Sequence, residues 1–340
     1  MRIWLVVAFA LFHAPAFAAS LDAEAINTAT WTEKARTEKK AGPGGLNPSI
    51  VRLQILLDRA NFSPGEIDGR MGENVEKAIA AYAEAHDAPS AGMSQELWRR
   101  LTEASGGPAI VEHTISAADV KGPFVDKVPA KMEDMKDLPA LSYTSVKEKL
   151  AEQFHMSPEL LEALNKNKRF DQAGETILVA NVSREKLAEK VARIEIDKAR
   201  QTMKVFGRSQ KLLAVYPVTA GSTEKPAPSG VLKVTTIARN PTYHYNPAYA
   251  FKSVKTQERF TIKPGPNNPV GTVWIGLNKE GYGLHGTPDP SKVSKSETHG
   301  CIRLTNWDAQ TLASALQKGT PVEFIGDESE RKRKGKRQRR

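Results

Sequence analysis

The sequence predicts a multidomain protein: a mostly-β, sandwich-like domain preceded by a small three-helix domain and a βααβ module. Three observations support this. The chain has 340 residues, enough for two or three domains. Between 46 and 104, apolar residues recur at helical spacing in three short runs separated by Pro-Gly and Asp-Gly turns. From Ile194 onward the pattern becomes short alternating strands around Pro and Gly turns.

Residues 1–19 have a positive start (Met1-Arg2), an apolar run from Ile3 to Phe12 and the small-residue end Ala16-Phe17-Ala18-Ala19. That order predicts a secretory signal peptide, too short to span a bilayer comfortably. Export to the periplasm is the expectation. Residues 20–45 are polar, end in Gly42-Pro43-Gly44-Gly45 and are expected to be a linker. In 46–104, Asn47-Pro48 caps a helix bearing Ile50, Leu53, Leu56 and Leu57. A second helix presents Val75, Ala78, Ile79 and Tyr82, and a third carries Leu97, Trp98 and Leu101.

Residues 105–140, with Gly-Gly-Pro and scattered prolines, are expected to be an extended connector. In 141–181, Leu141 to Thr144 is read as a strand, followed by helices at Val146–Phe154 and Ser157–Asn165 and a strand at Ile177–Val179. The β pattern spans 191–326: Ile194 to Asp197, Met203 to Phe206, Leu212 to Tyr216 and Val231 to Val234. A terminal helix is expected at Trp307–Leu316 and a last strand at Val322–Ile325.

Nearly all of the net charge of +10 lies in residues 331–340, which hold eight basic side chains and no acid. Segment 327–340 therefore reads as a disordered, solvated tail. The balanced body argues against a nucleic-acid partner, and an anionic membrane or envelope polymer is the expected contact of the tail.

Cys301 is the only cysteine, so no internal disulfide is possible. His299 precedes it by two residues and His285 by sixteen. A thiol becomes a nucleophile as a thiolate, and a nearby imidazole can take its proton. Gly300 lets the backbone turn and approach a substrate closely, and amides freed at such a turn can face an oxyanion. Two bland readings compete: a buried structural cysteine, and a zinc site made by the three residues. No fourth ligand or water-activating carboxylate stands near, so no metal and no cofactor is expected.

His285-Gly286-Thr287, a loop, then Thr298-His299-Gly300-Cys301-Ile302-Arg303 resembles the signature of the L,D-transpeptidase (YkuD-type) catalytic domain, with Thr298 in place of the commoner Ser. Ile194 to Asp197, Tyr216-Pro217-Val218 and Pro228-Ser229-Gly230 extend the resemblance over 191–326. Leu53-Gln54, Pro64-Gly65 and Ile67-Asp68-Gly69 resemble a peptidoglycan-binding domain. The βααβ plan resembles a LysM module, though the usual Gly-Asp-Thr is replaced by Ser145-Val146-Lys147. For both modules an inert spacer is the alternative.

The resemblance implies a peptidoglycan L,D-transpeptidase acting by cysteine acyl transfer. Cys301 is then the nucleophile, and His285 is the general base, its ring oriented by the Gly286 carbonyl. His299 tunes the site, the amides of Gly300 and Cys301 hold the oxyanion, and Arg303, Thr298 and Tyr282 contact substrate. The acceptor stays open among a diamino acid, a lipoprotein lysine, a free amino acid and water. A papain-like peptidase places Cys before His, the reverse of the order here. A non-catalytic wall-binding protein has no use for the His/Cys set.

Overall fold

A computed structural model describes residues 21–32, 45–89, 92–183, 186–222, 225–249, 254, 256–298 and 300–326. The expected signal peptide, the expected basic tail at 327–340 and residues 20 and 33–44 of the expected linker lie outside the described residues.

The first domain forms because its caps and one buried amide close its turns. Asn47 accepts from the Ser49 amide at 2.9 Å to start α2 (Pro48–Arg59), with α1 being Ala23–Thr28. α3 (Glu73–Ala85) and α4 (Gln95–Ser105) follow, the latter capped by Ser94. Gln54 is buried in α2. It donates to Asp68 Oδ1 at 2.8 Å and accepts from the Gly69 amide at 2.8 Å, which pins the Asp-Gly turn. The linker expectation needs correction at 21–32. Ile26 and Trp31 are buried, and Trp31 faces Trp98 at 6.4 Å between ring centres, because these apolar side chains find cores in the folded chain.

The βααβ unit exists with a different first strand. β1 (Ile110–Thr114) pairs antiparallel with β2 (Thr176–Ala180), over α6 (Val146–Gln153) and α7 (Pro158–Leu164). The expected strand at 141–144 is instead an extended segment bonded to the C-terminal domain: Leu141 N–H donates to Pro264 O at 3.0 Å and Asn267 N–H donates to Leu141 O at 2.9 Å. The connector expected at 105–140 therefore contributes β1, the short helix α5 (Ala117–Val120) and a 3₁₀ turn at Met132–Asp137.

The C-terminal domain holds β3 (Val191–Asp197), β4 (Thr202–Gly207), β5 (Leu212–Pro217), β6 (Thr219–Ala220), β7 (Gly230–Arg239), β10 (Val273–Leu277), β11 (Gly283–His285), β12 (Ile302–Arg303) and β13 (Pro321–Ile325). A small hairpin, β8 (Tyr243–Tyr245) with β9 (Phe260–Ile262), stands apart, and α8 (Asn306–Ala315) packs near β10 and β11. The nine strands run in the order β5-β4-β3-β13-β7-β10-β11-β12-β6. Its two edges, β5 and β6, are consecutive in sequence with only Val218 between them. The sheet must therefore curl to bring its two ends together at Val218, which makes the expected sandwich barrel-like. Ile194, Ile196, Val205, Tyr216, Ile275, Leu284 and Val322 fill the interior.

The units interlock. The amide of Ser63 donates to Val215 O at 2.9 Å and the amide of Val215 to Asn61 O at 3.0 Å, so the helical domain extends the β5 edge. His155 sits at a three-way junction: its Nδ1 lies 3.0 Å from Asp58 Oδ2, and its ring stacks on Trp307 at 4.7 Å.

Candidate active site

β11 and β12 run parallel, with Leu284 opposite Ile302 and His285 opposite Arg303. Side chains alternate faces along a strand. Leu284 and Ile302 point into the core and are buried. His285 and Arg303 consequently share the other face, and Cys301, just before β12, opens on the same cavity. His285, Cys301, Arg303 and Thr298 line one cavity of about 510 Å³, together with Trp274 and Lys225.

Each group is held. His285 is buried, and its Nδ1 donates to the Gly286 carbonyl at 2.7 Å, leaving Nε2 as the free acceptor nitrogen of the neutral ring. The Trp274 ring stacks on it at 5.8 Å. Burial first, and then the Arg303 charge, push the imidazole down to about 4, against the pull of the Gly286 bond. Cys301 is half-buried, with Sγ 3.5 Å from Gly281 O. Burial pushes its thiol up, while the Gly283 backbone, Lys225 and Arg303 pull it down. Both shifts favour the uncharged forms, a neutral thiol and a neutral imidazole on the same cavity.

Thr298 is buried and donates to Cys301 O at 2.7 Å, tying the loop before the cysteine. Gly300 has φ +98°, a left-handed conformation that favours glycine, and a side chain there would press on Tyr282 Cε1 at 2.9 Å. Tyr282 is half-buried beside that turn, with Lys279 Nζ 4.7 Å and Lys225 Nζ 5.6 Å from its ring centre. Arg303 Nη1 donates to Ser296 Oγ at 3.2 Å. Arg303 also borders a second cavity of about 760 Å³, lined as well by residues 126–130 of the connector. His299 lies outside the described residues.

Residues 191–324 match the family model of the YkuD L,D-transpeptidase catalytic domain. This domain belongs to the YkuD family of L,D-transpeptidases. The family's members are acyltransferases with a cysteine nucleophile. The chain is 31% identical over 130 residues to the L,D-transpeptidase YkuD of Bacillus licheniformis, covering 38% of this chain and 63% of that protein. It is 33% identical over 123 residues to the L,D-transpeptidase YqjB of Bacillus subtilis, covering 34% and 62%. It thus spans less than two thirds of the length of each of these curated relatives. The solved catalytic domain of an Enterococcus faecium L,D-transpeptidase superposes with a TM-score of 0.29 at 20% identity, over 41% of this chain and 99% of that one.

Several residues at this YkuD site escape sequence reasoning. Trp274 carries one weak signal, an aromatic out of phase with the core residues Val273 and Ile275. Lys225 and Met132 come from remote segments and carry none.

Proposed function

We propose that this chain is an exported peptidoglycan L,D-transpeptidase. The observation that carries the reading is that His285 and Cys301 line one cavity inside a domain that matches the YkuD family model. Cys301 Sγ attacks the carbonyl carbon of the third stem residue, a diamino acid. His285 Nε2 takes the thiol proton as the C–S bond forms. A ring pushed down to about 4 is neutral at physiological pH, so its Nε2 lone pair is available to the thiol proton. The oxyanion faces the amides of Gly300 and Cys301 at the left-handed turn. Collapse breaks the C–N bond to the terminal D-Ala, whose amine leaves with the proton from His285. An amine acceptor then attacks the thioester, its proton passing to His285 and back to sulfur. Water in the acceptor's place gives carboxypeptidase action at the same cysteine.

Arg303 between the two cavities suits a stem carboxylate, which a guanidinium matches bidentately. Thr298 and Tyr282 shape the approach, and His299 stands beside the nucleophile in sequence. The upstream units serve as wall-binding modules. A groove of about 660 Å³ between Ser145–Lys147 and the 165–171 loop has room for a sugar chain. The leader sends the chain to the periplasm, and the basic tail adsorbs to anionic envelope surface.

Mass spectrometry of the products from a disaccharide-tetrapeptide tests the reading. Cys301→Ala is expected to fold and to form no acyl-enzyme. His285→Ala is expected to keep the thiol and lose about 10²–10⁴-fold in rate. Turnover that survives Cys301→Ala rejects the assignment.

A further inference from the structure

Resting on the reading of His285 as general base, we propose that Glu152, a residue of the upstream βααβ unit, is a positioning residue for that histidine and acts on it through Asn306. Asn306 is buried at the first turn of α8. Its Oδ1 accepts from the Thr272 amide at 3.0 Å. Its Nδ2 donates to Glu152 Oε1 and Oε2, each at 3.1 Å, and to Pro266 O at 3.3 Å. The two ends of a carboxamide have nearly the same shape and opposite hydrogen-bonding character, so one orientation persists only where both ends are specified. Thr272 specifies the acceptor end, and Glu152, with Pro266 O as the longer second acceptor, the donor end.

The carboxamide in turn fills the space left by two glycines. A side chain at Gly271 or at Gly286 would overlap Asn306 Oδ1. Gly286 supplies the carbonyl that receives the Nδ1 proton of His285 at 2.7 Å. The order of contact is therefore Glu152, Asn306, Gly286, His285. Glu152 is itself anchored by the Tyr143 hydroxyl at 2.9 Å, and burial pushes its carboxyl up to about 7. Both Glu152 and Tyr143 precede the 191–324 segment that matches the family model, so that segment alone lacks this support. A displaced Asn306 would let the Gly286 carbonyl move, and a misplacement on the order of 1 Å at a reacting group costs about 10²-fold.

The test uses the full chain, with turnover of a disaccharide-tetrapeptide read beside the rate–pH profile of iodoacetamide alkylation at Cys301. Glu152→Ala is expected to lower kcat about 10- to 100-fold with little change in KM, and to move the alkylation profile towards that of His285→Ala. Asn306→Asp sets two carboxylates face to face and is expected to show the same loss. Combining it with Glu152→Gln exchanges donor and acceptor between 152 and 306, leaves Pro266 O without its donor, and is expected to recover turnover in part over Asn306→Asp alone. A wild-type kcat and alkylation profile in Glu152→Ala, with His285→Ala inactive, overturns the positioning role and leaves the catalytic reading intact. Wild-type turnover in His285→Ala overturns the catalytic reading itself. Should Glu152→Ala fail to fold, the double variant decides, and no recovery over Asn306→Asp alone overturns the proposal.

Discussion

At the residue scale the decisive fact is that desolvation acts on both partners of the pair. Burial drives the Cys301 thiol up and the His285 imidazole down, so each step favours the uncharged form. A preformed thiolate–imidazolium pair is disfavoured, so in the proposed mechanism proton transfer accompanies attack. The sign is then fixed for reactivity. Direct ionisation of the thiol requires a pH above its ordinary value, so the thiolate-dependent limb of Cys301 alkylation is expected to have its midpoint above that of an unburied cysteine. A midpoint near 6 would instead show a stable ion pair. Cys301 is the only thiol, so the labelled mass reports this one site. Gly300 is a second residue-scale test. With φ +98° and Tyr282 in the way, Gly300→Ala is expected to cost about 1–3 kcal/mol and to depress turnover beyond what its melting temperature explains.

At the element scale, contacts between units are made by short extended segments as much as by helix faces. Asn61–Ser63 adds to the β5 edge, which otherwise presents unpaired backbone groups. Leu141 lies against residues 264–267 in the same way. Gly265 permits that second approach: its φ is +149°, and a side chain would come within 2.9 Å of Leu141 Cα. Gly265→Ala is expected to prise the extended segment away, lower the melting temperature by an amount equivalent to about 1–3 kcal/mol, and speed proteolysis near Leu141. Unchanged proteolysis there would show that the contact is dispensable.

At the scale of the whole molecule, the three units share cores. One cluster joins Val51 and Ile55 of α2 with Leu150, Leu160 and Leu161 of the βααβ unit, and another places Val215 of β5 among Leu57, Phe62 and Tyr82. The junction of Asp58, His155 and Trp307 lies one residue from Asn306. Calorimetry of the full chain is expected to show one cooperative transition. A fragment of residues 186–326 is expected to melt lower and to turn over a soluble tetrapeptide more slowly than the full chain, because it leaves Val215 uncovered and lacks Glu152 at Asn306. Two separated transitions in the full chain would reject this coupling.

The sequence by itself determined the local chemistry and the local elements. The order His285, Gly300, Cys301, Arg303, the helix starts at Asn47 and Ser157, and the change from helical to alternating periodicity near Ile194 all depend on residues a few positions apart. Such signals survive in a linear string because the interactions they report are short-range. The tertiary structure alone decided which distant segments complete the site. β1 is found at 110–114 because its partner lies at 176–180, and Leu141 leaves the βααβ plan because the 264–267 loop binds it. Met132, Lys225, Trp274 and Glu152 reach the cavity or its support from four separate stretches, with no shared spacing to betray them. Their placement follows from closure of one sheet and burial of shared apolar faces, which depend on the whole chain at once.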